Sequence, residues 1–346
     1  MWFSENEEKL SEYVENVGKH DSEEIIGFLD EGLGRAIRDC RFETGGDFEL
    51  SLASEGNLAM MFLTNYLVAN MPEPFWEKWN FNPWKPAMPG AQIRIHDVLI
   101  GADDILLEVR PSEESMRFDL RFYNETLATL EEEQAYHIFY LVLEMTLGEN
   151  ICMGYVGFVE MAETKGSTMI TLSELWDFME KKLGEVETLL DENYNPCSTY
   201  SGYSMEPSEN PNPRFDIIAG FTGLPGLLDE YYEAEDRPIF DLFEENGAKV
   251  AFITMHRLYP EDHKQDLELR SLIADRLEAE VLGEAGSGEE IGVILGQAVG
   301  LTHVYIDLLL YDEKAFLEKA GRVLQDFGEA FFIYDYHQNA EPKMLI

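Results

Sequence analysis

Hydrophobic and polar positions follow two rhythms along this chain, and the switches between them mark out its elements. Helical spacing covers Glu5 to Asp39, with a break near His20–Ser22 that predicts two pieces. Asp21 or Ser22 would cap the second, and Glu24 suits its first turn. Phe48, Leu50 and Leu52 alternate through Asp47–Ala53, a strand pattern. A helix follows over Asn57–Ala69, offering Met60, Met61, Leu63, Tyr66 and Leu67 to a core. Extended stretches come next at Phe75–Trp84, Gln92–Arg110 with a turn at Gly101–Asp103, and Met116–Tyr123. Ile138, Leu141, Val142 and Met145 recur at helical spacing within Leu130–Leu147. A strand at Ile151–Glu160 and a helix at Leu172–Asp191 complete this half.

The pattern lapses over Asn193–Pro213, which is dense in Pro, Ser, Asn, Tyr and Gly and reads as a linker. Beyond it come Phe215–Ala219 and helical sequence through Leu227–Glu245, interrupted near Pro238. The rest is legible in order: strand Lys249–Met255, helix Gln265–Leu282, strands Gly292–Ala298 and His303–Leu310 joined at Gly300, helix Glu313–Phe327, strand Ala330–Tyr336. That β-α-β-β-α-β order suits a ferredoxin-like split fold, with helices on one face of an antiparallel sheet. The first half reads as the same order with one extra strand. The expected architecture is α+β, two tandem ferredoxin-like domains with antiparallel sheets and additional helices. Their bounds are 1–192 (with a helical N-terminal extension), 193–213 as linker, and 214–346.

Charge narrows the function classes. Sixty-eight acidic residues against 25 basic ones give a formal net charge of −43, spread along the chain. Such a field repels nucleic acid and anionic membrane and favours cationic partners. With 45% hydrophobic residues the chain is no acidic disordered tail. The first ten residues, MWFSENEEKL, lack the apolar core of a secretory signal, and the apolar runs fall far short of a membrane span. Cys40, Cys152 and Cys197 are too widely spaced for a CxxC pair, and their odd number suits a reducing cytoplasm.

Two stretches carry a family likeness. FELSLASEGN, followed by the Pro- and Trp-rich Trp76–Pro89, resembles the opening module of uncharacterised bacterial proteins. GVILGQAVG running into HVYIDLLLYD is similar to a family of unknown function related to the B-type regulator of ribonuclease E. That resemblance implies an acidic, cytosolic, ferredoxin-like, non-enzymatic protein acting by protein contact. It carries no diagnostic motif, so no residue role transfers.

Candidate chemistry is sparse. PFWEKWNFNPWKP holds Trp76, Trp79 and Trp84, which could anchor a protein interface or serve as core. His303, Tyr305 and Asp307 alternate onto one face of a strand, and Asp335 and His337 share a face of the last one. Together with His256, Glu261, Asp262 and His263 they could bring metal ligands to an open sheet face, or simply form a solvated one. Gly220, Gly223 and Gly226 lie between a strand and a helix without the spacing of a phosphate loop. No nucleophile elbow, HExxH or Walker pattern occurs. The expectation is a non-enzymatic interaction protein with a basic protein partner, no cofactor, and Trp76, Trp79 or Trp84 at the interface. The alternative is a metal-dependent enzyme or ligand binder using His303, Asp307, Asp335 and His337.

Overall fold

A computed structural model describes residues 2–16, 19, 22–45, 48–95, 97–112, 115–233, 236–285 and 287–346. The expected cap at Asp21 or Ser22, the first residue of the Asp47–Ala53 strand and the side chain of His263 lie outside what is described. In chain order the first half contains α1 (Trp2–Glu15), α2 (Ser22–Leu33), β1 (Arg41–Gly45), β2 (Glu49–Ala53), α3 (Leu58–Ala69), a 3-10 turn (Glu73–Glu77), β3 (Asn80–Asn82), β4 (Gln92–Ile95), β5 (Val98–Gly101), β6 (Leu106–Pro111), β7 (Phe118–Tyr123), α4 (Glu132–Leu147), α5 (Glu149–Tyr155), β8 (Val156–Met161), β9 (Ile170–Thr171) and α6 (Leu175–Gly184). The second half continues with β10 (Ser201–Ser204), β11 (Ile217–Thr222), α7 (Gly226–Tyr232), α8 (Pro238–Glu245), β12 (Lys249–His256), α9 (His263–Leu277), a π-turn (Glu278–Leu282), β13 (Gly292–Gly300), β14 (His303–Leu310), α10 (Glu313–Leu324), β15 (Phe332–Asp335) and β16 (Lys343–Met344).

The molecule is mixed α+β with several sheets. Its contacts divide the chain into two units: Met1–Cys40, Asn57–Lys78 and Cys197–Ile346 form one, Arg41–Gly56 and Trp79–Pro196 the other. Residues 1–40 and 57–78 therefore count with the C-terminal segment, whereas the sequence reading had placed them with the N-terminal one. Part of the stretch read as a linker is ordered as β10, which pairs with β11.

The first unit is built on a seven-stranded sheet in the order β10-β11-β13-β14-β12-β15-β16, antiparallel throughout. Four of those strands, with α9 and α10, follow the β-α-β-β-α-β order read from the sequence. Helix starts are set locally: Asp262 accepts from the backbone N–H groups of Lys264 and Gln265 at α9, and Asp312 from that of Ala315 at α10. Ile253, Ile306 and Leu308 pack on one face with Ile273, Leu277, Phe316 and Leu324. The opposite face was expected to be open. It is covered instead, with Phe252, Tyr305 and Leu309 packed among Met60, Leu63, Leu227, Phe240 and Phe243 of α3, α7 and α8. From Val304 onward β14 is apolar on both sides apart from Asp307, which suits a strand buried on both faces.

The second unit holds three sheets: β1-β2-β3, the β4-β5 hairpin, and β8-β7-β6-β9. Phe118, Leu120 and Phe122 of β7 alternate inward against Phe139, Val142 and Leu143 of α4 and Leu175 and Met179 of α6. The strands are not all antiparallel as expected, because β2–β3 and β7–β8 run parallel. Each of these pairs is joined through helical sequence, which returns the chain in its original direction. The expected strand over Ile151–Glu160 begins only at Val156, and α5 takes the residues before it. β4 to β7 follow one another without an intervening α-helix, so this half does not repeat the order of the other.

Candidate functional site

The aromatic run divides between the units. Trp79 is core, 4% exposed, set edge-on to Phe48 and stacked with Phe81. Trp84 is partly buried in the Pro-rich segment that follows. Trp76 differs: it sits in the 3-10 turn Glu73–Glu77 of the first unit with 44% of its surface exposed. Its indole N–H donates to the carbonyl of Met71 at 3.2 Å, which ties the ring to the preceding segment. The turn is held to α1 by Phe75 against Phe3, 5.0 Å between centroids, and by Lys78, which pairs with Glu7 at 3.3 Å. The turn carries two carboxylates, Glu73 and Glu77, and Glu7 of α1 pairs with Lys78 just after it.

The His and Asp residues of the last strands are not gathered. In β12 neighbouring residues point to opposite sides of the sheet. Asp307 lies opposite Phe252, while Asp335 lies opposite the next residue back, Ala251, so the two carboxylates belong to different faces. His303 is paired with His256 near the far end of β12, their rings 4.2 Å apart. Asp335 forms an ion pair with Lys249 at 2.8 Å, and with His337 it lines a hollow of about 380 Å³ that also includes Arg237 and Glu313. Among the described residues no group of three or more His, Cys, Asp or Glu is placed to hold a metal ion.

Asp307 has a different task. It is sealed in the first unit and accepts both terminal nitrogens of Arg214, which is 0% exposed. Tyr336, Phe252, Tyr231 and Tyr305 surround the guanidinium at 4.6–5.6 Å. Arg214 holds a left-handed backbone, φ 70°, and its Nε and the hydroxyl of Tyr203 lack hydrogen-bond partners among the described residues. Asp216 anchors the same strand start by accepting from Tyr305, from the backbone of His303, and from Thr302 through both backbone and hydroxyl. Burial pushes its carboxyl up, but the hydrogen bonds from His303, Tyr305 and Thr302 outweigh that and hold it well below the usual carboxylate range. Comparison with family models, with curated proteins and with solved structures returns no match.

A cavity of about 530 Å³ lies wholly within the second unit. On α4, His137, Tyr140, Leu141 and Glu144 recur at helical spacing and turn one face toward it. Glu144 forms an ion pair with Lys85, the side chains 18% and 12% exposed. Beside them Glu149 is buried and saturated, accepting from the Ser54 hydroxyl at 2.6 Å and from the backbone N–H groups of Gly56 and Lys85 at 3.1 Å. Gly148 lets the segment around Lys85 approach: at φ 86°, a Cβ there would stand 3.2 Å from the Ala87 nitrogen. Burial raises the Glu144 carboxyl, and the Lys85 hydrogen bond offsets only part of that. Burial also holds the Cys152 thiol well above its ordinary value, so it lines the cavity as a neutral group. The sequence reading missed this site, although His137, Tyr140 and Glu144 fall on one side of the helix beside the apolar stripe that marked it.

Proposed function

We propose that this is a non-enzymatic interaction or regulatory protein of the bacterial cytoplasm that docks a basic protein partner. The observation that carries the reading is Trp76, 44% exposed in a short turn that also carries Glu73 and Glu77, in a molecule of net charge −43. The field steers a cationic surface inward and the indole supplies lasting affinity, the usual division between electrostatics and an aromatic hot spot. The same field argues against nucleic acid as the partner, since affinity there depends on cations meeting phosphates. No helix among the described residues is long and apolar enough to cross a membrane.

The strand order β13-β14-β12-β15 within β12-α9-β13-β14-α10-β15 supports reading this kernel as a ferredoxin-like unit. It also agrees with the proposed relation to the family of the ribonuclease E B-type regulator, whose members act by contact. The test is affinity capture from bacterial cytosol on immobilised wild-type and Trp76→Ala protein, with retained proteins identified at low and high salt. The reading expects a retained protein of high isoelectric point, released by salt and about 2 kcal/mol weaker on Trp76→Ala. Equal retention by both baits, or retained proteins that are acidic, would sink it.

A further inference from the structure

The cavity of the second unit departs from the rest of the molecule in its charge. Acidic residues outnumber basic ones by 68 to 25 in the chain, yet once Glu149 is set aside as bonded to Ser54, Gly56 and Lys85, the lining balances Glu55 and Glu144 against Lys85 and Arg117. A site for a simple cation would need no such balance, because the surface field already favours cations everywhere. A site for an anion would not keep both carboxylates. Balanced charge favours a ligand that carries both signs.

The detailed geometry agrees. Lys85 and Glu144 are mostly buried and bonded to each other, and neither spends all its hydrogen-bonding capacity on that bond: an ammonium has three donors and a carboxylate two oxygens. Both residues line the cavity, which places their remaining capacity within reach of a ligand there. Glu149, by contrast, is taken up by Ser54, Gly56 and Lys85 and is structural. At the mouth, Arg117 is exposed and has no ion pair among the described residues. Between the charged groups the wall is apolar, with Tyr140, Leu141, Met153 and Val156. A volume of about 530 Å³ is that of a small-molecule site.

We propose that this cavity binds a zwitterionic α-amino acid with a large apolar side chain. Its ammonium meets Glu144, its carboxylate meets Lys85 or Arg117, and its side chain lies against Tyr140 and Met153. The test is calorimetric titration of the full chain with L-phenylalanine, L-leucine and L-methionine. The N-acetyl and amide derivatives of each, which lack one charge, are titrated alongside. At least one free amino acid should bind, with both derivatives about tenfold weaker, the cost of leaving a charged partner unmatched. Glu144→Gln should weaken binding by about the same factor. Tyr140→Ala and Arg117→Gln, both at the exposed mouth, serve as variants whose folding is not at stake, and each should weaken binding measurably. No heat from any of the three amino acids at roughly 10 mM would overturn the proposal. So would derivatives that bind as well as their parents, or full affinity in both Tyr140→Ala and Arg117→Gln.

Discussion

The Arg214–Asp307 pair of the first unit and the Lys85–Glu144 pair of the second separate a strut from a site. Arg214–Asp307 is sealed: the arginine has no exposed surface and aromatic rings close around it. Lys85–Glu144 is less deeply buried and opens onto a cavity lined by both charge signs. In a chain this acidic, the sign of a carboxylate carries little information. What distinguishes the two is whether the pair's remaining hydrogen-bonding capacity is closed off by protein or left facing space.

That contrast can be broken first at Asp307. Asp307→Asn leaves the Arg214 charge buried and uncompensated, and chemical denaturation should record a loss of about 3–5 kcal/mol. Replacing both partners by apolar residues, Arg214→Met with Asp307→Leu, should recover most of it; failure to recover would mean the pair is more than a strut. The tryptophans give the aromatic version of the same test. Trp79→Ala should cost about 3–5 kcal/mol of stability, whereas Trp76→Ala should cost less than about 1 kcal/mol and act on binding instead.

Glu144→Gln should cost about 1–2 kcal/mol, less than Asp307→Asn, since Lys85 can turn to the cavity for solvation. Asp216 shows itself through pH. Its folded carboxyl titrates below its unfolded value, so its stabilisation is complete above roughly pH 5 and is lost as pH falls through the folded value. Asp216→Asn should therefore flatten the acid limb of a stability–pH profile and leave its slope near neutrality unchanged.

The second half of the chain was largely legible because its periods are clean: Lys249–Met255 and His303–Leu310 read as strands, and both are. The covering of the second sheet face was not legible, because α3 comes from residues 58–69, far away in sequence. For the same reason the His303–Asp307 alternation looked like an open face when Tyr305 and Asp307 are buried. Phe75–Trp84 read as extended, but Pro72 and Pro74 instead seed the 3-10 turn that displays Trp76. Arg214 gave no signal at all: a single arginine at the end of a Pro- and Asn-rich run does not announce that it is fully buried.

The most direct measurement is a thermal melt of three proteins, wild type, Asp307→Asn and Glu144→Gln, each with and without the amino acid that binds best. A ligand that binds only the folded state raises the melting temperature, by an amount that grows with the logarithm of one plus the ratio of free ligand to Kd. The account predicts a lower baseline but a preserved ligand shift for Asp307→Asn, and a near-normal baseline with a diminished shift for Glu144→Gln. A full ligand shift in Glu144→Gln, or its loss in folded Asp307→Asn, would contradict the division between strut and site.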